Sequence, residues 1–482
     1  MAPASEFLIE NVVLVDGLQT PSWRGALWVR DGRIHAIAPE LDADVPRIDG
    51  GGLVLAPGFI DAHSHDDAAL ITAPEMAPKL SQGVTTVVTG NCGISLVPLC
   101  TADPLPPMNL LPAAQYRYAS FAAWVDAVQA ARPAVNAAPL IGHTALRLRC
   151  VAELARPALP AEREAMAALL DEAMQQGALG LSSGVFYAPA AAADAEELLA
   201  LARVSARHGG VYAVHLRDEQ AGVLDAIQEA ADCAHAAGLP LVISHHKCAG
   251  RANWGRSLQT LALIERLSQR QALGLDVYPY MAGSTVLRED LADGITPIRL
   301  TWSDAHPELA GQWLKDIAAG WACSEPAAVR RLQPGGACYF QMSDEDLDRI
   351  LAHPLAMIGS DGLPHDPLPH PRLWGAFPRV WARYGRERGL LSLEQAVHKM
   401  TGLTAQRFGL ADRGVLRVGA AADLVLFDSE QLRDRADYGE PSLPAAGIAA
   451  VWVNGRLAWQ GGQSMLRSGS VLVREELMTV KL

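Results

Sequence analysis

Disulfide frameworks, membrane spans and basic tracts are all missing from this chain. Its 482 residues hold seven cysteines, an odd number without framework spacing. Thiols that sparse exclude a small disulfide-stapled scaffold and point to a reducing compartment, the cytoplasm. No run approaches the ~18 apolar residues that a membrane-spanning helix needs. The first residues, 1–17, have neither a basic n-region nor a small-residue cleavage pattern, so export by a signal peptide is not expected. Basic residues are outnumbered 40 to 53, for a formal net charge of −13. That balance argues against a nucleic-acid footprint. What the chain does have is apolar material: half its residues are hydrophobic and 19% are charged. This excludes disorder as the main state and supplies a sizeable core. The length fits about three domains, or one large barrel with a smaller domain beside it.

The two ends share a texture. Ala26–Arg30 and Arg33–Ile37 flank Asp31–Gly32, and 451–453 and 456–459 flank Asn454–Gly455. Asp-Gly and Asn-Gly between apolar runs signal hairpins, because type I′ turns need positive φ at both central residues. Residues 7–15 and 422–428 read as further strands. Lone hairpins are marginal, so residues 1–55 and 412–482 are expected to build one small β-sandwich domain. The middle, 56–411, alternates short buried-strand runs with alanine- and leucine-rich helical stretches. The strand candidates are 58–63, 84–91, 139–143, 178–182, 211–215, 241–245, 273–278 and 356–360. Eight β units alternating with helices predict an α/β fold, a (β/α)8 TIM barrel. The interval after strand seven is long, and 283–350 reads as an insertion able to act as a lid.

Catalytic groups of such barrels sit at strand C-termini. His63 and His65 end strand one, and an H-x-H there puts both imidazoles on one face. Cys92 ends strand two, His143 strand three, His215 strand five, His245 strand six and Asp361 strand eight. A single strand-end histidine is usually structural, and a buried free cysteine usually packs inertly. The joint placement is what points to a metal site, and imidazole, thiolate and carboxylate together suit Zn²⁺.

These residues lie in motifs that resemble the amidohydrolase superfamily. Pro57–Gly58–Phe59–Ile60–Asp61–Ala62–His63–Ser64–His65 resembles its opening motif, and 414–428, with Ala422–Asp423–Leu424–Val425, its closing one. Finer motifs resemble the N-acyl-D-amino-acid deacylases, or D-aminoacylases. They are Gly90–Asn91–Cys92–Gly93, Gly180–Leu181–Ser182–Ser183–Gly184, His215–Leu216–Arg217–Asp218–Glu219, Ile243–Ser244–His245–His246–Lys247, Asp276–Val277–Tyr278 and Gly359–Ser360–Asp361–Gly362, followed by Pro371–Arg372. The wider superfamily commonly bridges two metals with a carbamylated lysine after strand four, and 180–184 has no lysine. The resemblance implies that Cys92 takes that place. It implies one tight zinc on Cys92, His215 and His245, and a second, weaker position on His63 and His65. It makes Asp361 the catalytic acid and base. Tyr187, Lys247, Tyr278, Ser284 and Arg372 match substrate-contacting positions, as does His143 near the site. His246 is expected on the opposite strand face.

The implied reaction is hydrolysis of an N-acyl-D-amino acid, a small-molecule substrate, to a D-amino acid and a carboxylate. The D-preference follows from the resemblance alone. Leu287, Leu291 and Phe186 suggest an apolar side-chain pocket, with Arg288 neutralised by Glu289 and Asp290. Deacylation of N-acyl-D-glutamate or N-acyl-D-aspartate is the alternative. A cyclic-amide hydrolase of hydantoinase or dihydroorotase type usually carries the bridging lysine. An assembly protein on a decayed barrel predicts missing ligands, and none is missing. The sequence carries no signal for oligomeric state.

Overall fold

Strands that are small or apolar on both faces belong between two covered surfaces. Eight such segments build the centre of the computed structural model, which describes residues 6–473. They are β1 (Phe59–Asp61), β2 (Val84–Thr89), β3 (Asn136–Gly142), β4 (Gly180–Gly184), β5 (Val211–His215), β6 (Leu241–Ile243), β7 (Leu273–Val277) and β8 (Ala356–Ile358), and every residue in them is buried. They pair in parallel, in chain order. The barrel closes where Ala62 N donates to Ile358 O at 3.1 Å and Asp361 N donates to His63 O at 2.8 Å. Amphipathic helices cover the outside. Ala195–Arg207, for example, starts where the Asp194 carboxylate accepts from Glu197 N at 2.9 Å, and it turns Leu198, Leu201 and Ala202 inward. The expected (β/α)8 barrel is therefore present.

The two ends meet in a second, mixed sheet of nine strands. Glu6–Leu14, Trp23–Arg30 and Arg33–Ala38 come from one end, and Leu424–Phe427, Ile448–Val453 and Arg456–Gln460 from the other. Val54–Pro57 joins the halves by pairing with both Glu6–Leu14 and Leu424–Phe427. The expected hairpin tips have positive φ: 51° and 74° at Asp31–Gly32, 49° and 72° at Asn454–Gly455. The tips touch, and a Cβ on Gly455 would lie 2.6 Å from Gly32 Cα. One continuous sheet thus folds over itself as a sandwich's two layers do. Phe7 stacks on Trp452 at 5.9 Å, over a shared core that includes Ile9, Leu27, Leu55 and Leu424. The chain then returns to the barrel, where Leu472 N donates to Ala137 O at 2.8 Å. The remainder of the C-terminal stretch assigned to the small domain, 474–482, and residues 1–5 lie outside the described residues.

After β7 the chain leaves the barrel. Gly283–Val286, Ile298–Ser303 and Gly335–Tyr339 form an antiparallel sheet with the last strand in the middle. Helices Leu314–Gly320 and Glu325–Leu332 cover it around its own apolar cluster. Helix Asp344–Ala352 belongs with the barrel instead. It packs on Ser257–Ser268, and Asp346 accepts from Gly255 N at 2.7 Å. Among the described residues, no helix is long and apolar enough to cross a membrane.

Candidate metal centre and active site

The metal-site candidates converge because several strand ends bend sharply inward. Gly90, with φ of 74°, presses its backbone onto β3, where a Cβ would lie 2.1 Å from Leu140 O. Only glycine fits there. The turn that follows holds Cys92 at φ 56°, and His245 and Asp361 sit at 35° and 49°. Left-handed backbone at non-glycine residues costs of order 1–3 kcal/mol each and gathers at functional sites. His63 and His65 point the same way, as H-x-H requires. Ser64 between them turns away to donate to Val88 O at 2.9 Å.

Cys92 Sγ lies 3.2 Å from His63 Nε2 and 3.3 Å from His245 Nε2, and His245 Nε2 lies 3.0 Å from His215 Nδ1. Two compact donor groups share Cys92, namely Cys92–His215–His245 and Cys92–His63–His65, and His63, His245 and Asp361 form a third, with donor atoms inside each within 4.8 Å of one another. Cys92 joins the first two, in a barrel whose β4 has no lysine. Burial pushes its thiol up, but the imidazoles of His63 and His245 hold it well below the usual range. The buried His65 Nδ1 and His215 Nε2 have no hydrogen-bond partner. A thiolate beside convergent imidazoles fits a borderline-soft ion such as zinc.

Asp361 stands among these donors. Its Oδ1 is 3.3 Å from His65 Nε2 and 3.5 Å from His63 Nε2, and its Oδ2 is 2.9 Å from Arg372. Burial alone would raise its pKa, yet Arg372 and His63 hold it well below the carboxylate range. Behind the donors is a layer of groups that were not singled out as site residues. Asp276 Oδ2 accepts from His63 Nδ1 at 3.3 Å. Glu219 Oε1 is 3.0 Å from His245 Nδ1 and 2.6 Å from Lys247 Nζ. Carboxylates on the far nitrogen of a ligating histidine fix its tautomer and orientation. Lys79, fully buried, binds Asp61 at 2.7 Å, Ser360 at 2.9 Å and Asp66 at 3.0 Å, tying the end of β1 to that of β8. Asp276 and Glu219 do lie in the quoted motifs, Glu219 four residues after His215. Lys79 carries no local signal, because its partners come from distant strands.

Of the expected substrate contacts, Tyr187, Lys247, Tyr278 and Ser284 line one pocket with His65, Cys92, His215, His245 and Asp361. Tyr187 Oη is 3.0 Å from Thr285 Oγ1, and Ser284 Oγ is buried with no partner. His143 is not brought there. Its Nε2 is 2.8 Å from Glu197 in a buried cluster beside the site, and it is absent from the pocket wall. Arg372 lies just behind that wall: its guanidinium pairs with Asp361 and donates to Ser284 O at 3.0 Å, over the Tyr278 ring, while its buried Nε and Nη1 have no hydrogen-bond partner. Leu291 and Phe186 face the pocket, whereas Leu287 turns into the core of the insertion and an adjoining groove. Arg288 is paired by Asp290 at 2.5 Å, and Glu289 pairs with Arg330 instead. His246 points away, as expected, with Nε2 2.8 Å from Thr260 Oγ1.

Known proteins resemble this chain over nearly its whole length. The amidohydrolase family model matches residues 47–277 and 288–458. A D-aminoacylase of Alcaligenes xylosoxydans xylosoxydans is 50% identical over 459 residues, 94% of either chain. The N-acyl-D-aspartate deacylase of that organism is 48% identical, covering 98% of this chain and 96% of its own. The N-acyl-D-glutamate deacylase of Bordetella bronchiseptica, solved with zinc and a phosphonate inhibitor, superposes with a TM-score of 0.92 at 44% identity, covering 97% of this chain and 99% of that one. Whole-length identity at that level, together with a cysteine where the barrel lacks a lysine, makes this chain a member of the amidohydrolase family, in its branch of N-acyl-D-amino-acid deacylases.

Proposed function

We propose that the protein hydrolyses the amide bond of N-acyl-D-amino acids, with zinc held tightly by Cys92, His215 and His245 and more weakly by His63 and His65. The observation that carries this reading is the Asp361 carboxylate set among the shared donors, lining one pocket with Lys247, Tyr278 and Ser284. The chemistry zinc supplies when bound is Lewis-acid polarisation of a carbonyl and acidification of water. The protein's own groups do the rest. Asp361 Oδ1 takes the proton of the attacking water and hands it to the departing nitrogen, which cannot leave as an anion. Arg372 keeps that carboxylate ionised at the start. Tyr187 Oη, oriented by Thr285, is placed to donate to the oxyanion. The α-carboxylate meets Lys247 Nζ, Tyr278 Oη and the free Ser284 hydroxyl. Three fixed points, carboxylate, carbonyl and side chain, suffice to select one enantiomer.

Phe186 and Leu291 favour an apolar side chain. A preference for acidic D-amino acids is the second reading, favoured by Arg288, whose guanidinium lies 4.1 Å from the Phe186 ring. Its pairing with Asp290 weighs against that role. All seven cysteines are free thiols, which supports a cytoplasmic location. The test is release of free amine from N-acetyl-D- and N-acetyl-L-leucine and from N-acetyl-D-aspartate. Turnover of the D-leucine derivative alone supports the full reading. Turnover of the aspartate derivative alone selects the second one. Equal rates on both leucine enantiomers overturn the D-amino-acid assignment.

A further inference from the structure

The reacting centre is too small for what has to enter it. The space beside Cys92, His215 and Asp361 measures about 40 Å³, whereas clefts for drug-sized ligands run to ~300–1,000 Å³. An acylated amino acid must therefore extend outward. Two cavities of about 710 Å³ each adjoin this space. One opens past Phe186 and Tyr187 along Leu287 and Arg288, the direction given above to the amino-acid side chain. The other shares the wall residue Leu110 with this space. It lies between the rim loop 102–113, the insertion at Trp302 and Pro334, and the 365–367 segment after Asp361. None of the groups assigned to the chemistry lines it.

The walls of this second cavity are mainly apolar, with Leu105, Leu111, Pro112 and Trp302 facing in. Three buried polar atoms on the same walls have no direct hydrogen-bond partner, Asn109 Oδ1, His365 Nε2 and Asp366 Oδ2, the last on a carboxyl that burial pushes up to about 7 despite the Thr301 and Trp302 side chains beside it. An unpaired buried polar atom is costly, so several on one wall mark a surface that another molecule completes. An amide oxygen and a carboxylate oxygen accept hydrogen bonds. The complementary occupant is an apolar body carrying an N–H.

We propose that this cavity is the subsite for the substrate's acyl group, and that the acyl group it fits is large, apolar and bears an amide N–H. The acyl half of an N-acylated dipeptide ending in a D-residue has that chemistry. This inference rests on the deacylase reading and names what lies on the other side of the scissile bond.

The experiment compares substrates that release the same product, D-leucine, from the full-length, zinc-loaded enzyme. They are N-acetyl-D-leucine, N-decanoyl-D-leucine and N-acetyl-L-leucyl-D-leucine. Burying one further leucine side chain predicts a kcat/KM roughly tenfold or more above that of the acetyl substrate for the dipeptide. Leu105→Ser, at an exposed wall position (47% accessible), should lower the ratio of dipeptide to acetyl kcat/KM severalfold. Asp366→Leu, which keeps the side chain's shape but removes both acceptor oxygens, should lower it for the dipeptide and leave it unmoved for the decanoyl substrate, which has no distal N–H. A ratio near one, or a ratio that neither substitution changes, overturns the subsite while the acetyl substrate still turns over. Absence of D-leucine from all three substrates overturns the deacylase reading, and the subsite with it.

Discussion

Two buried histidine clusters stand at the ends of barrel strands, and they are built on opposite plans. At β3, Glu197 receives His143 Nε2 at 2.8 Å, Arg147 at 2.6 Å on each oxygen and Ala158 N at 2.9 Å. The remaining Arg147 donors end on the carbonyls of Pro189, Leu154 and Arg156. Charge is matched, and only His143 Nδ1 is left unpaired. At β1, β2, β5 and β6, four imidazoles and a thiol crowd around shared points, held by carboxylates from behind. Burial is nearly the same in both, so burial does not distinguish them. The difference is direction. In one cluster the donors and acceptors satisfy each other; in the other, lone pairs of several groups aim at the same space. A strand-end histidine is thus a ligand by convergence and a structural residue by saturation.

The largest effect that tests this contrast comes from Cys92, the donor common to both metal groups. Cys92→Ala should remove zinc that survives purification and drop amide hydrolysis to background, as read by elemental analysis and amine release. His143→Gln should keep its zinc. Equal zinc in the two variants would erase the distinction. Asp361→Asn comes next: it should retain zinc yet lose ~10²–10⁴-fold in kcat, the usual contribution of a positioned acid–base. Near-parental turnover would exclude Asp361 as the proton carrier.

That these clusters differ was only half legible in the sequence. All eight barrel strands were legible, since runs buried on both faces have few alternatives. So were the hairpin tips, whose Asp-Gly and Asn-Gly pairs have a single conformational use. The donors were legible because each ends a strand. His143 ends a strand too, and its diversion to Glu197 depends on a helix fifty-odd residues later, which no local pattern encodes. Arg372 reads as a substrate clamp, and its added contacts with Asp361 and Ser284 O come from chain segments that no local pattern joins. Lys79 was illegible for the same reason, its partners Asp61 and Ser360 being brought together only by barrel closure.

On the saturated side, Arg147→Met should cost ~3–5 kcal/mol of stability, because Glu197 would be left as an uncompensated buried charge. Zinc per folded molecule should not change. The same cluster carries a pH signature. Burial pushes the Glu197 carboxyl up, but hydrogen bonds from His143 and Arg147 hold it at about 2, against an ordinary 4.5. A depressed carboxylate pKa stabilises the fold above the unfolded value, and that stability is lost as pH falls from about 4.5 towards 2. The loss amounts to about 3 kcal/mol by linkage. Chemical denaturation across this window should show the parent losing stability more steeply than a Glu197→Gln variant. Parallel pH profiles would mean that Glu197 is not held ionised by its partners.

The smallest effect falls on the border between the two plans. Glu219 is saturated like Glu197, with Lys247 at 2.6 Å, yet it also backs a donor, His245 Nδ1, at 3.0 Å. Burial raises its pKa, while Lys247 and His215 hold it far below the carboxylate range. Glu219→Gln keeps the shape and still offers an amide oxygen to His245, but removes the charge that makes the imidazole a better donor. Loss of such a backing carboxylate typically weakens metal affinity ~10–100-fold. Competition with a chelator of known affinity should show that weakening with no change in thermal midpoint beyond a few degrees. If zinc affinity instead stays at the parental value while the midpoint falls, Glu219 belongs with Glu197, and its carboxylate holds the fold rather than the metal.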